Sequence, residues 1–205
     1  MRKRSLLLDE KMNLILVGES GVGKTSLLNQ YTRGIFQSQV IATVGSSVKL
    51  LLGLEYFAKE ELIEGRKTKI KLWDTAGQEQ YKSLTKNFYR NANGIIIVFD
   101  VSNRKSFDAV KEWLQNVKDH SPKETKVVIV GNKLDLEREV SENEGIFLAQ
   151  SEKIKYFDCS AKENKGFQDC VVELTREISN ANKPKIDHTL ENLKKVEHDK
   201  NYCSC

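Results

Sequence analysis

The chain has 205 residues, 39% of them hydrophobic, and a formal net charge of +4. That length suits one domain with a modest tail, and the hydrophobic share is enough for an ordinary core. The charge is too mild to point to nucleic acid, and no basic stripe with interleaved aromatics stands out along the chain. Met1-Arg2-Lys3-Arg4 is basic, but the apolar run that follows, Leu6 to Leu8, is too short for the core of a signal peptide. No stretch approaches the length of a membrane span. Of the cysteines, Cys159 and Cys170 fall among the predicted elements, where they read as small core residues, and Cys203 and Cys205 end the chain. This is no disulfide framework, and the cytosol is the simplest compartment.

The elements alternate. Met12 to Val17 reads as a buried strand and Gly23 to Thr32 as a helix, with a loop from Gly34 to Val44. Ser47 to Phe57 and Thr68 to Trp73 read as strands, with Glu64-Gly65 as a hairpin turn before the second. A loop from Thr75 to Glu79 leads into a helix ending near Asn91. Gly94 to Val101 is a continuous apolar strand. Asn103 to His120 is a helix followed by Pro122, and Lys126 to Val130 is another apolar strand. Ser141 to Ser151 is a helix with Ser141 and Glu144 placed as a capping box. Lys155 to Cys159 is a short strand and Phe167 to Ala181 a last amphipathic helix. Apolar strands alternating with helices predict an α/β fold, a mostly parallel sheet covered on both faces. The predicted domain is 11–182. From Lys183 to Cys205 the composition turns polar and reads as a flexible tail.

Four motifs follow strands, where open α/β sheets bind their ligands. Gly18-Glu19-Ser20-Gly21-Val22-Gly23-Lys24-Thr25, after the strand ending at Val17, matches G-x-x-x-x-G-K-[ST]. Its backbone N–H groups, from Ser20 through Gly21, Val22, Gly23, Lys24 and Thr25 to Ser26, can converge on phosphate oxygens, and the helix that follows adds its dipole. Lys24 would reach the β and γ phosphates, and the Thr25 hydroxyl would ligate Mg²⁺. Asp74-Thr75-Ala76-Gly77 follows Trp73: the carboxylate can hold the Mg²⁺ shell, and the Gly77 N–H can meet the γ phosphate. Asn132-Lys133-Leu134-Asp135 follows Val130. Asp135 can accept from the N1–H and exocyclic amine of guanine, donors adenine lacks, and Lys133 can lay its stem over the base. Ser160-Ala161-Lys162 follows the last strand, where the Ala161 N–H can donate to guanine O6.

In this order and spacing the motifs resemble the Ras-like small GTPases, most closely the Rab family. Supporting residues are Trp73-Asp74-Thr75-Ala76-Gly77-Gln78-Glu79, Tyr81-Lys82-Ser83-Leu84-Thr85, Phe88-Tyr89-Arg90 and the terminal Cys203-Ser204-Cys205. The resemblance implies the P-loop GTPase fold, a six-stranded sheet with one antiparallel strand and helices on both faces. It implies a switch that binds GTP or GDP with Mg²⁺ and hydrolyses GTP slowly. It makes Thr43 a Mg²⁺ ligand and γ-phosphate contact, Phe36 the aromatic packed on guanine, and Gln78 the residue that orients the attacking water. No arginine stands where it could act in cis, so an activating protein is expected. An exchange factor, a dissociation inhibitor or escort protein, and effectors are implied as partners. A role in vesicle traffic on the cytosolic face of intracellular membranes, cycling with the cytosol, is implied too. Cys203 and Cys205 would carry prenyl groups. The tail holds five lysines and four acidic side chains, so no polybasic patch would assist them. Other readings are a Ras-like branch acting in signalling, a module that holds GTP with little hydrolysis, and an ATP-using P-loop enzyme, disfavoured by Asn132 and Asp135.

Two departures stand out. Where Rab proteins carry I-G-V-D-F, this chain has Val44-Gly45-Ser46-Ser47-Val48. The family's partner-reading aromatic triad would fall on Val48, Trp73 and Phe88, leaving one ring missing. The stretch from Thr43 to Trp73 is also longer than the family's, with the excess expected within Leu50 to Glu61, as a longer hairpin or an excursion carrying Tyr56 and Phe57.

Overall fold

The computed structural model describes residues 10–36, 55–74 and 88–182. Their strands form one six-stranded sheet in the order β2-β3-β1-β4-β5-β6. The strands are β1 (Glu10–Val17), β2 (Glu55–Ile63), β3 (Arg66–Asp74), β4 (Gly94–Asp100), β5 (Lys126–Asn132) and β6 (Lys155–Asp158). The helices are α1 (Lys24–Arg33), α2 (Arg104–Asp108), α3 (Val110–His120), α4 (Glu142–Ser151) and α5 (Phe167–Asn182). All neighbouring strands are parallel except β2 and β3. The expected mostly parallel sheet with one antiparallel strand is therefore what forms.

Burial on both faces explains the apolar runs Leu14–Val17 of β1, Ile95–Phe99 of β4 and Val127–Val130 of β5. Met12, Leu14 and Leu16 turn to one side, where Leu28 of α1 and Val171 and Leu174 of α5 meet them. Ile15 and Val17 turn to the other with Ile95, Ile97 and Phe99, against Val110, Leu114 and Val117. Strand order reverses at β1: the chain adds β3 on one side of it and β4 on the other. That reversal opens a crevice at the carboxyl end of β1.

Local chemistry sets the ends. Ser141 and Glu144 form both halves of a capping box at α4. Arg104 grips the Glu144 carboxylate with two nitrogens, at 2.7 and 3.2 Å. That grip, then the Ser141 N–H and hydroxyl, holds the Glu144 pKa down to about 2. The helix expected over 103–120 is two segments joined at Ala109, with Asn103 capping the first.

The β2–β3 hairpin corrects two expectations. It pairs residue for residue from Glu55 opposite Asp74 to Ile63 opposite Arg66. Glu64 and Gly65, with φ of 49° and 79°, close it as the expected two-residue turn. Tyr56 and Phe57 therefore lie in a regular strand and not on an excursion. The strand expected over Ser47 to Phe57 coincides with β2 only at Glu55–Phe57; residues 47–54 lie outside the described residues. The inward face of β2 explains the miss: it carries charge. Lys59 pairs with Glu61 at 3.0 Å, Glu61 accepts from the Tyr31 hydroxyl at 2.9 Å, and Lys59 sits over the Tyr31 ring. Burial first, then Glu61, drives the Tyr31 pKa upward. Outward stand Tyr56 and Leu62 while Phe57 and Ile63 are buried inward, so apolar residues on both faces hide the true facing.

Candidate functional site

The glycine-rich loop leaves β1 at the crevice. Gly18 has φ 135°, and a Cβ there would lie 2.0 Å from the Val98 carbonyl oxygen of β4. Gly23 has φ 96°, and a Cβ there would lie 2.4 Å from Asn132 Nδ2. Both positions demand glycine, one to let the loop cross β4 and the other to admit the Asn132 side chain. Gly23 also N-caps α1 without a side-chain hydrogen bond, and the first turn holds no acidic residue. The helix thus presents backbone N–H groups and the positive end of its dipole to an anion. Lys24 is 5% exposed and donates to the carbonyls of Gly18 and, at 2.8 Å, Glu19. Ser20 and Gly21 are exposed at the rim, while Val22 is buried beneath them.

Asn132 joins the first motif to the third and fourth. Its Nδ2 donates to the Val22 carbonyl at 2.8 Å, and its Oδ1 accepts from the Ala161 N–H at 3.3 Å. Beside it, Asp135 accepts from the Ser160 hydroxyl at 2.7 Å and faces Lys162 at 3.5 Å. Burial works against the Asp135 charge. The Ser160 hydroxyl, the residue's own backbone N–H and Lys162 outweigh it, so its pKa lies below the ordinary carboxylate value. An ionised acceptor is what a guanine N1–H and amine require. The Leu134 N–H donates to the Cys159 carbonyl at 3.2 Å, fastening the two loops. Cys159 and Cys170 are both buried, and burial raises both thiol pKa values.

Sequence reading missed two supports. Asp100, at the end of β4, binds Lys133 Nζ at 2.6 Å. That pair fixes the lysine stem, while Lys133 itself holds φ 69°. The signal was present, because Asp100 is an acid ending a strand of apolar residues at the level of the other motifs. The Trp113 indole of α3 donates to Glu19 Oε1 at 3.1 Å, bracing the phosphate loop from the opposite wall. No local pattern marks that contact.

Thr25 and Asp74 meet directly, with the hydroxyl 2.6 Å from a carboxylate whose residue is fully buried. Two hard oxygen donors at the mouth of a phosphate loop fit Mg²⁺, which takes one or two carboxylates and completes its shell from phosphates and water. Ser26 lies in the first turn of α1, and Phe36 is 39% exposed, stacking on no other ring among the described residues. Thr43, Gly77, Gln78, Cys203 and Cys205 lie outside the described residues, as does Val48. The aromatic expected to be missing is supplied by another position: Tyr56 stands 5.2 Å from Trp73, which stands 5.8 Å from Phe88.

This fold, with a phosphate loop tied to a base-reading carboxylate, defines a P-loop nucleotide-binding protein. A model of the Ras family matches residues 13–180. The chain is 36% identical to Ras-related protein Rab-8A of Bos taurus over 185 residues, covering 89% of this chain and 84% of that protein. It is 37% identical to Ras-related protein Rab-8B of Homo sapiens over 172 residues, covering 83% and 79%. The chain belongs to the Ras family and is a Rab-like small GTPase.

The Asn132 clasp generates a prediction. Replacing Asn132 with Ala removes two hydrogen bonds, each contributing about 0.5–1.5 kcal/mol. Dissociation of a fluorescent guanine nucleotide is then expected to quicken roughly 5- to 150-fold. An unchanged rate means the clasp does not hold the nucleotide loops.

Proposed function

We propose that the chain is a membrane-traffic switch of the Rab type, recruiting protein partners while loaded with GTP. The observation that carries this reading is the Asn132 clasp between the phosphate loop and the two base loops. Backbone N–H groups from Ser20 to Ser26 cradle the phosphates, and Lys24 turns its ammonium to them. Asn132 and Lys133 shape the base pocket, where Asp135 reads the guanine edge. Ser160 and Lys162 hold Asp135 in place, Ala161 donates to O6, and Phe36 packs on the ring. Thr25, Thr43 and Asp74 hold Mg²⁺, which when bound neutralises charge on the phosphates. Thr43 and Gly77 respond to the γ phosphate, so its loss releases their loops. Gln78 orients water for in-line attack. Without an arginine in cis, turnover waits on an activating protein, and an exchange factor reloads the site.

The paired cysteines Cys203 and Cys205 support a membrane location. Among the described residues no helix is long and apolar enough to cross a membrane. Prenyl groups on Cys203 and Cys205 would anchor the protein to the cytosolic face of an internal membrane, with a dissociation inhibitor or escort protein returning it to the cytosol. The domain is 11–182 and the tail 183–205.

Single-turnover hydrolysis tests the switch. Gln78→Leu is expected to retain GTP binding and slow hydrolysis about tenfold or more. An equal rate removes Gln78 from the reaction. Membrane fractionation tests the anchor. One lipid chain binds only marginally, so Cys203→Ser and Cys205→Ser should each move the protein to the soluble fraction. Undiminished membrane association of either variant contradicts the two-lipid anchor.

A further inference from the structure

The phosphate loop carries an acid of its own. From Gly18 to Ser26, Glu19 alone has a carboxylate. It stands one residue before the N–H groups that would cradle phosphates, and the first turn of α1 holds no acid. A carboxylate so close to a phosphate chain repels it, more strongly the nearer it comes. Glu19 is half-buried and makes no ion pair among the described residues. Its Oε1 instead accepts from the Trp113 indole N–H at 3.1 Å. Trp113 lies on α3, 94 residues further along the chain, and packs its ring on the core of that face.

The backbone of Glu19 makes a second contact. Its carbonyl oxygen accepts from Lys24 Nζ at 2.8 Å, and the Gly18 carbonyl accepts from the same ammonium. Lys24 is therefore a cation within reach of the Glu19 side chain. Folding asks for less than this arrangement supplies. A partly buried indole N–H needs an acceptor, and an amide or a water would serve. A half-buried carboxylate without a cation costs free energy that a neutral acceptor does not. What the hydrogen bond fixes is the direction of the charge, toward α3.

We propose that Trp113 is a positioning residue for nucleotide binding. Its indole N–H holds the Glu19 carboxylate against α3 and so keeps it from capturing Lys24. A freed carboxylate pairs with the ammonium and draws it from the phosphates. A triphosphate loses more than a diphosphate, because it offers Lys24 both a β and a γ phosphate. Trp113 thereby sets the preference for GTP over GDP without touching either. This inference rests on the reading that the loop holds a guanine nucleotide, and it adds a residue that lies in none of the nucleotide-binding motifs.

The test follows release of a fluorescent non-hydrolysable GTP analogue, and of fluorescent GDP, from the full chain with Mg²⁺ and excess unlabelled nucleotide. Trp113→Phe keeps a ring on the apolar surface and removes the N–H. It should quicken release of the GTP analogue about tenfold and of GDP about threefold. Trp113→Leu removes the N–H with a different shape and should act in the same direction, so a response shared by both belongs to the hydrogen bond. The deciding variant combines Trp113→Phe with Glu19→Gln, which keeps the length of the side chain and discards its charge. It should release the GTP analogue within about threefold of the unaltered chain. A purely structural indole predicts no such rescue. Release from the double variant as fast as from Trp113→Phe alone overturns the proposal. So does an unchanged rate in Trp113→Phe, or equal quickening of the two nucleotides. Binding of neither nucleotide by the unaltered chain overturns the guanine-nucleotide reading, and this inference with it.

Discussion

One carboxamide holds the nucleotide loops in register. Asn132 donates to the loop that would carry phosphates and accepts from the loop that would read O6. Neither loop belongs to the other's element, and both ends of this bridge are buried. A buried amide with both functions satisfied fixes a geometry, because rotating it would orphan a donor or an acceptor. The other arrangements depend on this one. Gly23 lacks a side chain so that Asn132 can approach, and Asp135 lies in the turn that follows Asn132 at the end of β5.

The sheet makes the bridge possible. β1, β3, β4 and β5 run parallel, so their carboxyl ends reach one level. That level collects Lys24, Asp74, Asp100 and Asn132 from distant stretches of chain. Charge is then distributed by pairing. Lys133 is drawn toward Asp100, Thr25 toward Asp74 and Lys162 toward Asp135. Trp113 and Glu19 complete the enclosure from α3, well away from the base.

Much of this was legible in the residues. Two of the motifs follow buried apolar runs ending at Val17 and Val130, which announce themselves by composition, while the other two follow the alternating β3 and the short, half-exposed β6. The capping box at Ser141 and the turn at Glu64-Gly65 were legible for similar reasons, since both are local hydrogen-bond chemistry. What was not legible depends on which residue lies across from which. Lys59 and Glu61 face inward to Tyr31 between buried Phe57 and Ile63, and this blurs the amphipathicity of β2. Tyr56 therefore looked like part of an irregular excursion, when its register sets it beside Trp73. The partner of Asp100 was not legible for the same reason: only adjacent strands bring Lys133 to it, although an acid ending an apolar strand was itself a signal. The family resemblance assigned roles to contiguous motifs, but it left the aromatic cluster at Trp73 and Phe88 one ring short, because Tyr56 reaches them only through strand register.

Two surfaces thus share one corner of the fold, where Trp73 immediately precedes Asp74. The outward ring stands between Tyr56 and Phe88, and the inward carboxylate faces Thr25. The central claim is that the Asn132-centred pocket selects guanine. Competition on the purified chain, loaded with fluorescent GDP, tests it most directly. A buried carboxylate left without its donors should reject adenine by a factor of about 10⁴ or more. GDP or GTP should therefore displace the label near stoichiometry, and ATP in thousandfold excess should not. Displacement by ATP at concentrations comparable with GTP would contradict the account.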